Sequence, residues 1–186
     1  GGESADPHQI AQELIAAANA PGNTLSYASF GSGSSAHFGA ELLQSTIGTK
    51  MTHVPFNGSS QSLTSVMAGQ VPVGIDTEVA SLPQVRAGKV QAIASLSAER
   101  DPLYPDVPTV AESGYPGFAS EAWFALMGPA GLQAPVRDKI ESALEHAMAQ
   151  PELLRKLREV GLNPQWTSGK LLMTRTEREL PEMKAI

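Results

Sequence analysis

Short apolar runs and amphipathic stretches alternate along the first half of the chain. Apolar residues at helical spacing follow Asp6-Pro7 and predict a first helix, which the Pro21-Gly22 pair ends. A strand, a polar turn and a helix then recur. The predicted strands are 25–29, 51–54 and 71–75, and each is followed by a turn (31–35, 57–59 and 76–78) and a helix. This alternation predicts an α/β fold with a mostly parallel sheet flanked by helices.

The second half of the chain has a different pattern. Residues 90–95 predict a further strand, and the proline- and glycine-rich stretch 101–118 predicts a connector that crosses the surface. Residues 122–127 predict one more strand. Charged, amphipathic segments follow and predict helices at 135–149, 151–160 and about 168–179. We therefore expect an α/β lobe followed by a helical C-terminal segment.

Composition and charge exclude several classes of protein. The 186 residues suffice for one or two domains, and no run approaches the ~18 apolar residues of a membrane span. A net charge of -6 without a basic cluster argues against nucleic acid as a partner. The chain has no cysteine, and its four histidines lack metal-ligand spacing. We expect neither a metal nor a cofactor.

The segment from Gly31 to His37 joins a predicted strand to the start of a helix. Helix N-termini present unpaired N–H groups and the positive end of the helix dipole, and the glycines let the backbone approach a ligand. A carboxylate or a phosphate fits such a turn. In the alternative interpretation, Ser34 or Ser35 only caps the helix and the glycines only form the turn.

Two further polar turns follow the next two strands, and in an open α/β sheet such turns converge beyond the carboxyl ends of the strands. Asp76 either meets a ligand amine or hydroxyl or caps the helix behind it. Between Pro21 and Ile75 the only formal charges are Glu41 and Lys50, which favours reversible capture by neutral donors over catalysis. We predict no catalytic residue. The candidate ligand-binding residues are Ser29, Gly31, Gly33, Ser34, Ser35, His37, Asn57, Gly58, Ser59 and Asp76.

Two enzyme interpretations compete with this one. Gly31-x-Gly33-x-x-Ala36 fits the dinucleotide fingerprint, but the second strand ends in 54–57 without the acidic residue that binds the ribose. A serine hydrolase needs Gly-x-Ser-x-Gly, and Gly33-Ser34-Ser35-Ala36-His37 lacks the final glycine. A nucleotide-dependent α/β enzyme and an interaction module without a small ligand stay as alternatives.

Several segments resemble, in the same order, the receptors of tripartite tricarboxylate transporters, also called TctC or Bug proteins. They include His53-Val-Pro-Phe-Asn-Gly58 and Met67-Ala-Gly-Gln-Val71. The resemblance spans nearly the whole chain. The other matching segments are 25–29, 31–37, 98–100, 105–117 and 123–131.

The resemblance implies a periplasmic solute-binding protein, made with a signal peptide, whose two α/β lobes close on a ligand. It implies a small carboxylate as cargo: a di- or tricarboxylate, an acidic amino acid or an aromatic acid. The cargo passes unchanged to the membrane permease subunits. Residues 8–132 resemble the second lobe and 133–186 the segment that returns to the first lobe, whose N-terminal half has no counterpart in this chain. The position of Asn57 is often basic in the family, so ligand choice is expected to differ here.

Overall fold

The computed structural model of the protein describes residues 7–22 and 24–185, apart from the side chains of 7–11, 182 and 185. Asp6, which the sequence predicts as the N-cap of the first helix, lies outside the described residues. Contacts divide the chain into two compact units, Gly1–Ala122 and Trp123–Ala185. We call them the α/β unit and the helical unit. The boundary at 132/133, which the family resemblance implied for the full receptor, stays a prediction.

The α/β unit follows the predicted order of elements. In chain order they are α1 (Pro7–Ala18), β1 (Ser26–Ser29), α2 (Ser35–Ile47), β2 (Thr52–Pro55), α3 (Ser59–Met67), β3 (Val73–Gly74) and α4 (Glu78–Arg86). The three strands form one parallel sheet in the order β2-β1-β3. The prediction of an α/β fold with a parallel sheet flanked by helices is confirmed.

The central strand β1 is the most deeply buried strand of the sheet. Tyr27, Ala28 and Ser29 are fully buried, because a parallel strand with helices over the sheet has no face left for solvent. Ala40 on α2 is also fully buried, and Leu63 on α3 and Leu82 on α4 are nearly so. Each of the three helices that follow the strands therefore buries at least one apolar side chain.

Two predicted strands are absent from the described structure. In 90–95 only Ser95 pairs, in a single bridge to Thr109, with Ser95 N–H donating to Pro108 O at 2.8 Å. Residues 122–127 form no regular element, and Phe124 and Met127 are largely exposed. A strand requires partner backbone as well as apolar residues, and none of the described strands pairs with either segment. Both predictions were wrong for this reason.

The helical unit contains α5 (Ala134–Met148), α6 (Pro151–Glu159) and α7 (Gly169–Ala185), close to the predicted ranges. Proline occupies the first turn of α5 and of α6, where a missing N–H costs nothing. Glu141 on α5 accepts a hydrogen bond from Gly169 N–H at 2.9 Å, which ties the start of α7 to α5. Among the described helices, none is long and apolar enough to cross a bilayer.

Candidate functional site

The turns after β1, β2 and β3 meet at the carboxyl edge of the sheet. Ser29, the last residue of β1, lies in register with Pro55, the last residue of β2. The backbone continues this alignment, since Phe56 N–H donates to Ser29 O and Ile75 N–H donates to Ala28 O, each at 3.0 Å. The predicted convergence of the three turns is therefore present in the structure.

A side-chain hydrogen bond joins two of these turns directly. Ser59, the first residue of α3, donates its hydroxyl to Asp76 Oδ1 at 2.6 Å. Asp76 Oδ1 also accepts from Thr77 N–H at 2.8 Å, and Thr77 is the N-cap of α4. Asp76 therefore does not cap α4 itself but holds its N-cap residue against the start of α3. The N-termini of α3 and α4 thus lie side by side.

The other Asp76 oxygen, Oδ2, is buried and finds no hydrogen-bond partner among the described residues. Burial raises the pKa of Asp76, while the hydrogen bonds from Ser59 and Thr77 act in the opposite direction. A buried carboxyl oxygen without a donor is costly to leave unpaired. Asp76 is therefore poised to accept from, or when protonated to donate to, a group placed at this edge.

Hydrogen bonds between neighbouring residues fix the conformation of the turn after β1. Ser29 Oγ accepts from Gly31 N–H at 3.2 Å, and Ser34 Oγ donates to Gly31 O at 2.6 Å. Gly31 has a φ of 148°, and a side chain there would point toward Phe56 O at 3.7 Å. That distance is an ordinary van der Waals contact, so it is the backbone conformation that favours glycine here.

Ser34 is the N-cap of α2, since its hydroxyl accepts from His37 N–H at 3.3 Å. The capping interpretation is thus correct for Ser34, and a ligand role for it stays a prediction. Ser35 is the exposed first residue of the helix, and N–H groups at this position have no intrahelical partner. The start of α2 therefore offers open backbone donors at the carboxyl edge.

The remaining predicted residues lie around the same edge. Gly58 is the N-cap of α3, with a φ of 110°. Asn57 is exposed, and its backbone N–H donates to Gln61 Oε1 at 3.3 Å. Gly33 donates its N–H to His37 Nδ1 at 3.1 Å. Ser29 ends β1, and the other nine candidates belong to the three turns or to the first turn of the helix behind them.

The structure adds a pair of stacked imidazoles that sequence reasoning missed. The His37 and His53 rings are nearly parallel, with centroids 4.2 Å apart. His53 also stacks on Tyr27 at 4.9 Å, and its Nε2 lies 2.7 Å from Ser29 Oγ. Metal-ligand spacing along the chain cannot reveal such a stack. The pairing of Tyr27 with His53 in neighbouring strands is the signal that would have placed His53 here.

Glu41 is the acidic member of this cluster. Its Oε1 accepts from Tyr27 OH at 3.0 Å and from Gln44 Nε2 at 2.9 Å, and lies 3.7 Å from His37 Nε2. Burial, followed by the bond to Glu41, raises the pKa of Tyr27. Burial and the neighbouring His37 lower the pKa of His53, against the opposing effect of Glu41. Within this cluster the balance of these effects lowers the pKa of His53.

The α/β unit also has surface depressions that lie away from these turns. One open depression of about 510 Å³ is lined by Asn19, Gln44 and Lys50, among others, and a second of about 360 Å³ by Pro21, Leu25 and Pro72, among others. Neither includes any of the ten candidate residues. Within the described chain no three histidine, aspartate or glutamate side chains come together as a metal site.

The comparison with known families decides the identity of the chain. Residues 3–186 match the model described as "Tripartite tricarboxylate transporter family receptor" (TctC). The chain belongs to this family. The TctC resemblance that the sequence motifs suggested is confirmed.

A curated TctC relative shows how much of a receptor this chain spans. The "UPF0065 protein in tcbD-tcbE intergenic region" of Pseudomonas sp. (strain P51) is 34% identical over 154 residues, which are 82% of this chain and 46% of the relative. The chain thus spans about half the length of the curated relatives it matches first.

Two solved structures are similar in fold. "R. palustris Rpa4515 with adipate" aligns with a TM-score of 0.85 and 28% identity, over 94% of this chain and 58% of that one. "MatC (Rpa3494) from Rhodopseudomonas palustris with bound malate" aligns with a TM-score of 0.77 and 29% identity, over 98% and 62%. Adipate and malate are both dicarboxylic acids.

Proposed function

We propose that this chain is the ligand-holding part of a periplasmic solute-binding receptor that captures a small carboxylate. The observation that carries the proposal is the convergence of three helix N-termini at the carboxyl edge of one parallel sheet. The helices α2, α3 and α4 begin there, and the bond between Ser59 and Asp76 holds two of them together. Open N–H groups and the positive dipole ends at helix N-termini favour an anion.

The character of the donors supports a carboxylate held reversibly. Between Pro21 and Ile75 only Glu41 and Lys50 carry formal charges, so the anion would meet backbone N–H groups and hydroxyls. Hydrogen bonds from neutral groups to a charged ligand contribute about 1.5–3 kcal/mol each. The adipate and the malate of the two similar structures favour a dicarboxylate over a tricarboxylate, an acidic amino acid or an aromatic acid.

Each turn has a distinct proposed role. The backbone of Gly33, Ser34 and Ser35 receives one carboxylate group at the start of α2. Ser59 and Asp76 face the remainder of the cargo, where the unpaired Asp76 Oδ2 meets a hydroxyl, an amine or a protonated acid. Ser29, Gly31, His37, Asn57 and Gly58 shape the walls. As in the family, the cargo is delivered unchanged to membrane permease subunits.

The test is calorimetric titration of adipate and malate into the chain and into two variants of Ser35. Ser35→Pro deletes one open N–H, and proline is well tolerated at the first position of a helix. The preceding residue, Ser34, already has φ -76° and ψ 165°, which proline permits. Ser35→Ala is the matched control, because it removes the hydroxyl and keeps the N–H.

We expect Ser35→Pro to weaken binding by about tenfold or more relative to Ser35→Ala, as the loss of one hydrogen bond to a charged group predicts. NAD at the same concentration should produce no binding heat. Equal affinities of the two variants would remove the start of α2 from the site. Failure of the chain to bind either acid, or binding of NAD alone, would overturn the proposal.

A further inference from the structure

We infer that His37 takes up a proton when the carboxylate binds, and that Glu41 and His53 position it to do so. The inference rests on the proposed function and adds a regulation of the same site by pH. Two roles of the Gly33 N–H conflict in the structure. Gly33 is a proposed donor to the ligand, yet its N–H is already bonded to a side chain.

That side chain is His37, whose Nδ1 accepts the Gly33 N–H at 3.1 Å. A ring nitrogen that accepts a hydrogen bond carries no proton, so this arrangement requires His37 with an unprotonated Nδ1. In this state of His37, the N–H of Gly33 is not available to an anion. The Nδ1 lone pair is used in the same bond, so the ring offers a carboxylate no donor at Nδ1.

Adding a proton to His37 Nδ1 removes both obstacles. Nδ1–H can no longer accept from Gly33, so the ring and the Gly33 amide become two donors for a single anion. The other ring nitrogen, Nε2, lies 3.7 Å from Glu41 Oε1, which favours the cation from the opposite side. Protonation therefore converts a hydrogen bond inside the protein into two hydrogen bonds to the ligand.

The titratable groups around His37 favour a single proton on this ring. They are Glu41 on α2, His53 on β2 and Tyr27 on β1. Two cationic rings with centroids 4.2 Å apart would repel each other, and His53 is also fixed by Ser29 Oγ at its Nε2. Burial and His37 lower the pKa of His53, and burial raises the pKa of Tyr27. Within this cluster, His37 is the ring that lies directly beside the Glu41 carboxylate.

The first experiment is calorimetric titration of malate at pH 8, 7 and 6, in two buffers with different ionisation enthalpies. Malate stays ionised in this range, whereas an imidazole titrates near ~6.5. We expect affinity to rise by about tenfold between pH 8 and pH 6, with proton uptake near pH 7. His37→Gln should bind malate with nearly flat pH dependence and no uptake. His146→Gln, a substitution on α5 in the helical unit, is the matched control and should behave as the parent chain.

The second experiment needs no ligand. In NMR spectra recorded against pH, the Gly33 amide signal should move with the same midpoint as the His37 ring signals, because they share a hydrogen bond. Glu41→Gln removes the acidic neighbour and should shift both midpoints to lower pH. A Gly33 amide that ignores the His37 titration would overturn the inference.

The results of these titrations can contradict the proton uptake by His37 without contradicting the proposed function. Malate binding with the same affinity at all three pH values, and without proton uptake, would overturn the inference and leave the carboxylate site in place. No binding of malate or adipate at any pH would overturn the proposed function and the inference with it. Identical pH dependence in His37→Gln and the parent chain would assign the proton to another group.

Discussion

The two units of the chain stabilise their helices in different ways. In the α/β unit, Tyr27, Ala28 and Ala40 are fully buried between the sheet and its helices. In the helical unit, no residue of α5 or α6 is buried. Helix α6 instead carries exposed ion pairs one turn apart, Arg155 with Glu159 and Lys156 with Glu152.

This difference follows from the kind of element in each unit. A central parallel strand lies under helices and buries most of its residues, so its unfolding exposes a large apolar area. Exposed ion pairs on a helix contribute only about 0.3–0.5 kcal/mol each. The candidate site therefore lies in the α/β unit, which has a buried interior of its own. The cost of a substitution should therefore depend on the unit in which it lies.

The largest expected effect is that of Tyr27→Ala. Tyr27 is fully buried, stacks on His53 and donates to Glu41, so truncation should lower the free energy of unfolding by about 3–5 kcal/mol. Leu171→Ala, at a residue of α7 that is 61% exposed, should change it by less than about 0.5 kcal/mol. Urea denaturation of both variants measures the contrast. Similar losses in the two would show that the helical unit is as strongly packed as the sheet.

An intermediate effect is expected from Glu78→Gln at the start of α4. Burial, and then the neighbouring Asp101, raises the pKa of Glu78 to about 8. From the ordinary carboxyl range up to about pH 8 the folded chain thus binds more protons than the unfolded chain, so its stability falls as pH rises. Glu78→Gln should flatten this dependence.

At pH 7.5 we expect Glu78→Gln to raise the free energy of unfolding by only about 1–2 kcal/mol, because solvent screens part of the charge of the half-buried Glu78 carboxylate. Thermal or urea unfolding between pH 5 and pH 8 measures it. The control is Glu99→Gln at an exposed position of the same unit, which should change neither the slope nor the stability. A parent chain whose stability is constant over this range would contradict the prediction.

The smallest effect is expected in the helical unit. Lys156 lies 2.9 Å from Glu152, one turn earlier on α6, and both side chains are exposed. Lys156→Ala should lower the free energy of unfolding by no more than about 0.5 kcal/mol, and less in high salt. Urea unfolding at low and high salt measures both quantities. A loss above about 1 kcal/mol would show that surface ion pairs stabilise this unit more than their exposure indicates.

The sequence predicted the order of elements in the α/β unit because each element is marked locally. Helices end at residues such as Gly48, which has a φ of 72°, and begin at residues such as Ser34. The glycine and serine turns are therefore enough, by themselves, to locate the carboxyl edge of the sheet. Apolar runs alone misled at 90–95 and 122–127, where they predicted strands without partner strands.

The tertiary structure alone decided which residues meet at the site. His37 and His53 are distant along the chain and stack because β1 and β2 pair in a particular register, with α2 packed beside them. Ser59 reaches Asp76 because α3 crosses from the end of β2 toward β3. Local sequence determines turns, caps and helix ends through short-range sterics. Contacts between distant residues depend on strand register and helix packing, which only the folded chain specifies.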